Sequence, residues 1–153
     1  MSKTPVPFAP ETLETIQRAF RTASDRRHEE VGLEHLLLAI TDEPQARRVL
    51  TACGANLDVL RRQLTDVLVK AFTPVPSPTA VEPEPTLGFD RVIQQAMMHA
   101  VSSSAKHVES GSLLVFLLQE AVAVIRMPEF RLFVIHRLAG KQMLQFLVLV
   151  LLS

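Results

Sequence analysis

The chain contains no tryptophan and no tyrosine, only one cysteine, and no net charge. Each lack excludes something. Without Trp or Tyr, and with its eight Phe scattered, it offers no platform on which the bases of a single strand could stack. Sixteen Lys and Arg balance sixteen Asp and Glu, so there is no basic footprint for nucleic acid. Cys53 alone cannot form an intramolecular disulfide, which suits a reducing, cytoplasmic setting. Within VLTACG it reads as a small core residue rather than a reactive thiol. Catalytic sets are missing as well. A phosphate-binding loop needs glycines ahead of Gly-Lys-Ser/Thr, but Gly140-Lys141 lacks the upstream glycine and is followed by Gln142. There is no Cys cluster or His-Glu-x-x-His pattern for zinc, and Ser102 to Ser104 have no elbow motif or identified base. The expectation is a chain that is not an enzyme and takes no cofactor and no metal.

Met1 to Pro10 has one Lys, three Pro and no apolar run, so no signal peptide is expected. Met143 to Leu152 is almost wholly apolar, but a membrane-spanning helix needs about 20 such residues.

What the chain does have is an internal repeat. Ile16 and Gln17 return as Ile93 and Gln94, and Ala19, Ala23 and Val31 as Ala96, Ala100 and Val108. Leu36 and Leu37 return as Leu113 and Leu114, and the same offset holds without a gap from Ile16 to Glu43. An ungapped repeat of this kind implies two copies of one helical unit. The matching leucines Leu36, Leu37, Leu113 and Leu114 are expected in the core.

Leu13, Ile16, Phe20 and Ala23 recur at helical spacing and predict an amphipathic helix from about Pro10 to Arg27. Pro10 suits its first turn. Gly32 interrupts, and Leu33 to Ile40 predicts a short helix apolar most of the way round, hence central. Asp42-Glu43-Pro44 reads as a stop and a new start, and that third helix ends at Cys53 with Gly54 free to take a left-handed cap. Asn56 can cap a fourth helix whose apolar face is Leu57, Leu60, Leu64, Val67 and Leu68. Five prolines between Phe72 and Pro85 deny that stretch both helix and central strand, so it is expected to run extended as a linker. The second copy opens with Phe89, Val92, Ile93, Ala96, Met97 and Ala100 on one face, ends that helix at Ser102 to Ser104, and repeats the short apolar helix from Ser112 to Gln119.

RRHEEVGLEHLLLAITDEPQARRVLTACGANLDVLRRQL resembles the first repeat of the Clp N-terminal domain, and PTLGFDRVIQQAMMHAVSSSAKHV the start of its second, most like the ClpA type of protein-unfolding ATPase. The resemblance covers about Phe8 to Glu120. It implies an all-α fold of two pseudo-twofold four-helix repeats, the second incomplete or altered here. The expected organisation is a tail at 1–9, a first repeat at 10–71, a proline-rich linker at 72–86, the first half of a second repeat at 87–120, and a divergent apolar segment at 121–153. AVAVIRMPEFRLFVIHRLAGKQMLQFLVLVLLS shows neither the order nor the polarity that the family has there, as an altered reading frame near Glu120 would produce.

The same resemblance implies a non-catalytic domain that docks a ClpS-type adaptor or an unfolded protein substrate, in cis or trans to a Clp ATPase ring. Glu29 and Glu34 match acidic positions that help dock the adaptor delivering N-degron substrates, and Thr86 lies in a segment bordering that surface. The bland alternatives are a helix cap for Glu34 and a solvated charge for Glu29. Some relatives bind phosphorylated arginine through one acidic residue per repeat; Glu34 matches the first, but Gly111 occupies the second, so no such binding is expected. His35 reads as a core histidine with one ring nitrogen satisfied rather than a ligand, and Met97-Met98 as core plus edge. Two rival readings are a frameshifted remnant without independent function and a membrane-associated helper that uses the apolar tail.

Overall fold

The computed structural model describes residues 5–52, 55–76 and 78–123, with side chains as far as Glu120. These residues form six helices and two short strands: α1 (Pro10–Asp25), β1 (Glu30–Val31), α2 (Leu33–Ile40), α3 (Pro44–Ala52), α4 (Leu57–Ala71), β2 (Glu84–Pro85), α5 (Leu87–Ser102) and α6 (Ser110–Ala123). The fold is all-α and built from two copies of one unit. α5 begins and ends at the positions that match the ends of α1, and α6 begins where the match to α2 places it.

The buried face of α1 is rotated from the expected Leu13, Ile16, Phe20 and Ala23, of which Ala23 alone is fully buried. Thr12, Thr15, Ala19 and Ala23 are buried, whereas Leu13 is 45% exposed. Ile16 and Phe20 lie half-buried at the margins of the core. Small side chains let α1 lie close along α2, and a leucine in that seam would push the two axes apart. The Thr15 hydroxyl donates back to the Glu11 carbonyl, so its burial leaves no polar atom unpaired. In α5 Phe89, Val92, Ala96 and Ala100 of the expected face are buried, with Ile93 and Met97 half-buried beside them.

Both copies make the same turn after this helix. The amides of Arg26, Arg27 and His28 donate to the carbonyls of Thr22, Ser24 and Ala23, and those of Ser103, Ser104 and Ala105 donate to His99, Val101 and Ala100. The price is a left-handed residue at the same place in each copy, Arg27 at φ 60° and Ser104 at φ 55°. That region disfavours any residue with a Cβ by roughly 1–2 kcal/mol. Ser104→Gly is therefore expected to stabilise the fold by about 1 kcal/mol. Arg27→Gly should not, because the Arg27 side chain holds the linker, as described below. Paired denaturant melts of the two variants should move in opposite directions.

The copies are tied by crossed strands. Phe8 bridges in parallel to Val108, and β2 pairs in parallel with β1, Pro85 opposite Val31. Phe8 matches Pro85 in the repeat, and Val31 matches Val108. Each copy's leading segment thus pairs with the other copy's turn. The backbone bonds follow suit: Ala9 N–H to the Val108 carbonyl and Thr86 N–H to the Val31 carbonyl, both 3.0 Å. Phe20 meets Phe89 edge-on at 5.4 Å, and the hydroxyls of Thr12 and Ser110 bond at 3.1 Å. Leu36, Leu37, Ile40, Leu113, Leu114 and Leu117 are fully buried in one shared core.

The copies differ after the apolar helix. Pro44 ends α2's run and opens α3; the matching position is Ala121, and α6 continues unbroken to Ala123. That is longer than the Ser112–Gln119 helix expected. Asn56 caps α4 by accepting from the Val59 amide at 3.2 Å. Leu60, Leu64 and Leu68 of α4 are buried, with Leu57 and Val67 at the margin. Cys53, Gly54 and the segment 124–153 lie outside the described residues, so the thiol, the left-handed cap and the tail expectations stand apart from this structure. Among the described residues no helix is long and apolar enough to cross a membrane.

Candidate functional site

The turn between β1 and α2 centres on Gly32. A Cβ added there would lie 2.7 Å from Glu34 Oε2, 3.4 Å from Phe72 Cζ and 3.8 Å from Thr86 Cγ2. Two of the three candidate residues, Glu34 and Thr86, therefore converge on one backbone position, from the first turn of α2 and from the residue that opens α5. Glu34 is half-buried, and burial pushes its carboxyl above the ordinary value against a smaller opposing pull from its own backbone amide. A carboxylate held partly dry at a helix N-terminus favours a donor brought by a partner. Thr86 also has a structural task that sequence reasoning missed: its hydroxyl oxygen accepts the Phe89 amide at 3.2 Å and caps α5.

Glu29 is exposed and does not join that convergence. It lines a groove of about 440 Å³ with Glu30, Val75, Val81, Glu82 and Glu84. The linker forms one wall of this groove. Its described residues carry no helix, bend at Pro78 and Thr79, and are fastened rather than free. Arg27 Nε donates to the Val75 carbonyl at 2.8 Å and its Nη2 to the Thr79 carbonyl at 3.1 Å, while the Arg27 carbonyl accepts from the Val75 amide at 2.8 Å. Ser24 Oγ donates to the Val81 carbonyl, and the Glu84 amide to the Glu29 carbonyl. The left-handed turn at Arg27 aims its side chain along the linker. Four glutamates thus line one concave surface together with Val75 and Val81, an arrangement that raises the local concentration of cations. Arg27, Glu82 and Glu84 were not singled out from sequence. The available signal was two glutamates set between prolines opposite a doubled glutamate, Glu29-Glu30.

Beneath Gly32 lies a buried histidine pair. The Gly32 amide donates to His35 Nδ1 at 3.0 Å, and His35 Nε2 is 2.9 Å from His28 Nδ1. Both ring nitrogens of His35 are therefore engaged, one more than expected. Because Gly32 can only donate, His35 Nδ1 must accept, its proton sits on Nε2, and His28 Nδ1 receives it. Phe72 closes the cluster, 5.1 Å from the His28 ring and 4.6 Å from that of His35. Burial drives the His35 imidazole down to about 4, with smaller contributions from the charges of His28 and Arg26. Burial and then Arg26 also lower His28. Among the described residues no group of three His, Cys, Asp or Glu side chains could hold a metal ion. Met97 is half-buried and Met98 is 70% exposed.

The profile of the Clp repeat (R) N-terminal domain matches residues 8–127. A ClpA homolog protein of Fuscovulum blasticum is 44% identical over 117 residues, 75% of this chain. The chain spans only 15% of that relative's length. Among solved structures, the N-terminal domain of Hsp104 from Candida albicans superposes with a TM-score of 0.68 at 17% identity, covering 81% of each chain. A ClpV N-domain in complex with a VipB peptide superposes with a TM-score of 0.63 at 18% identity, covering 91% of this chain and 89% of the other.

Proposed function

The chain belongs to the Clp repeat N-terminal domain family, and from that premise we propose that it is a non-catalytic docking domain of the Clp unfoldase and protease system. Its partner is a ClpS-type adaptor or an unfolded protein substrate, presented to a Clp ATPase ring. The observation that carries this reading is the convergence of Glu34 and Thr86 on Gly32, next to the groove lined by Glu29. A rigid two-copy core holds these groups in place while leaving their surface open, which is what a docking platform requires. A neighbour of the same fold, the ClpV N-domain, is known with a VipB peptide bound.

Calorimetry of the folded chain against a purified ClpS-type adaptor tests the reading. Binding at micromolar concentrations is expected. Glu34→Gln should weaken it about tenfold or more, the loss of a hydrogen bond to a charged group, with no loss of stability in the melt. Binding should also weaken on acidification at a pH above that of an ordinary glutamate, because the carboxyl of Glu34 is raised and only its ionised form accepts fully. A folded sample with no binding at tens of micromolar would remove the adaptor version, and unchanged affinity in the Glu34→Gln variant would remove Glu34 from the site.

A further inference from the structure

We propose that His28, His35 and Phe72 form an acid-sensitive latch that fastens the first copy's turn to the end of α4 and the start of the linker. This goes beyond the docking reading and does not depend on it. The neutral pair is complementary in one arrangement alone. The Gly32 amide fixes His35 as an acceptor at Nδ1, so His35 must donate from Nε2 and His28 must accept at Nδ1. Protonating His35 places a proton on Nδ1 against the Gly32 N–H. Protonating His28 places one on Nδ1 against the His35 N–H. Exchanging tautomers does not help, since the Gly32 amide cannot accept. Either event sets donor against donor in a buried cluster, His28 being 3% exposed and His35 fully buried.

The surroundings oppose added charge. From the turn after α1, Arg26 bears on both rings. From α2, Glu34 stands nearby, but its own burial favours its neutral form. From the α4 side the contact is Phe72, which carries no charge, with Lys70 exposed in the last turn of the helix. From the α5 side the residue nearest the Gly32 turn is Thr86, also uncharged. Opening the latch returns both imidazoles to ordinary solvation.

The direction with pH follows. The closed form holds both imidazoles below 6.5, so the open form takes up protons first. The latch is fully favoured above about pH 6.5 and loses that advantage as pH falls toward the closed-state value of His35. The proton that His35 takes up on opening should raise the open-to-closed ratio by up to about tenfold per pH unit within that window, and His28 steepens the slope. Glu34 acts in the opposite sense. Its raised carboxyl favours the closed form at low pH and lessens the slope.

The absence of Trp and Tyr supplies the probe. In a Phe72→Trp chain, emission reports on this cluster alone. Acidification from about pH 7 to about pH 4 should shift that emission to the red while the helical circular dichroism persists. His35→Asn in the same background keeps an acceptor for the Gly32 amide but does not titrate, and it should reduce the shift to the part that His28 contributes. If His35→Asn does not fold, His28→Asn, which leaves the Gly32–His35 bond in place, should reduce it to the part that His35 contributes. The latch is overturned if the emission stays fixed down to pH 4. It is equally overturned if the shift occurs only together with loss of helix, or survives undiminished in the folded Asn variants.

Discussion

Leu37→Ala should unfold the chain or leave it without fixed packing near room temperature. Leu37 has no exposed surface and lies in α2, the helix that touches α1, α4, α5 and α6 and so joins the two copies. Truncating a buried leucine costs about 2–5 kcal/mol, the transfer of its methyls plus the cavity they leave. The total margin of a domain this size is roughly 5–15 kcal/mol. Site collapse is the usual way such a loss is softened, and it is least available here. α1 meets α2 across small side chains already in close approach, Ala19 and Ala23, which cannot extend into the space left behind. The midpoint of thermal unfolding should fall by roughly 8–25 °C. A melt within a degree or two of the parent would show that Leu37 is not a central packing residue. Leu114 occupies the matching place in α6 and is also fully buried, so its replacement should cost a comparable amount.

Much of this architecture is legible in the residues. The constant offset from Ile16 to Glu43 onto Ile93 to Glu120 is a statement about backbone geometry. α1 and α5 occupy matching residues, and the turns after them repeat bond for bond. The Asn56 cap and the break at Pro44 are local chemistry and could be read directly. Other features were hidden for physical reasons. The crossed strands are two residues long and one contains Pro85, so no alternating pattern could announce them. The left-handed turn falls on Arg27 and Ser104, not on glycine or asparagine, and it is the surrounding bonds that hold it. The face of α1 was misjudged at Leu13 because hydrophobicity was weighed and size was not. Thr12 and Thr15 fit the seam because their hydroxyls find partners. At the candidate site, Glu34 and Thr86 lie far apart in the chain but converge because the second copy's leading segment returns to the first copy's turn. The histidine pair spans that same turn, and a spacing of seven residues across a non-helical break carries no signal.

Arg91→Ala is the second change expected to weaken the chain strongly, and the repeat explains why. Glu43 and Glu120 are the same residue at matching positions, and both are 6% exposed. A buried carboxylate needs partners, and each copy supplies different ones. In the first copy Pro44 starts a new helix, and Glu43 turns back to accept the amides of Gln45 at 3.2 Å and Ala46 at 2.7 Å. In the second copy the helix continues, so no free amides are offered, and Glu120 instead accepts from Arg91 Nη1 at 3.1 Å. The first copy has Glu14 where Arg91 stands, and Glu14 pairs instead with Arg18 on its own helix. Arg91 thus replaces α3's backbone as the partner of the buried acid. Its guanidinium is more than half exposed, so the pair's own attraction is screened; the cost of Arg91→Ala lies in leaving Glu120 dry and unpaired. That loss is about 1.5–3 kcal/mol, read as a lower denaturant midpoint. Adding Glu120→Gln to Arg91→Ala should recover part of it, because a neutral amide is cheaper to leave in place than a charge. If the double variant is no more stable than Arg91→Ala, the contribution of Arg91 lies in its aliphatic packing on α5 and α6, and the carboxylate is satisfied by other means.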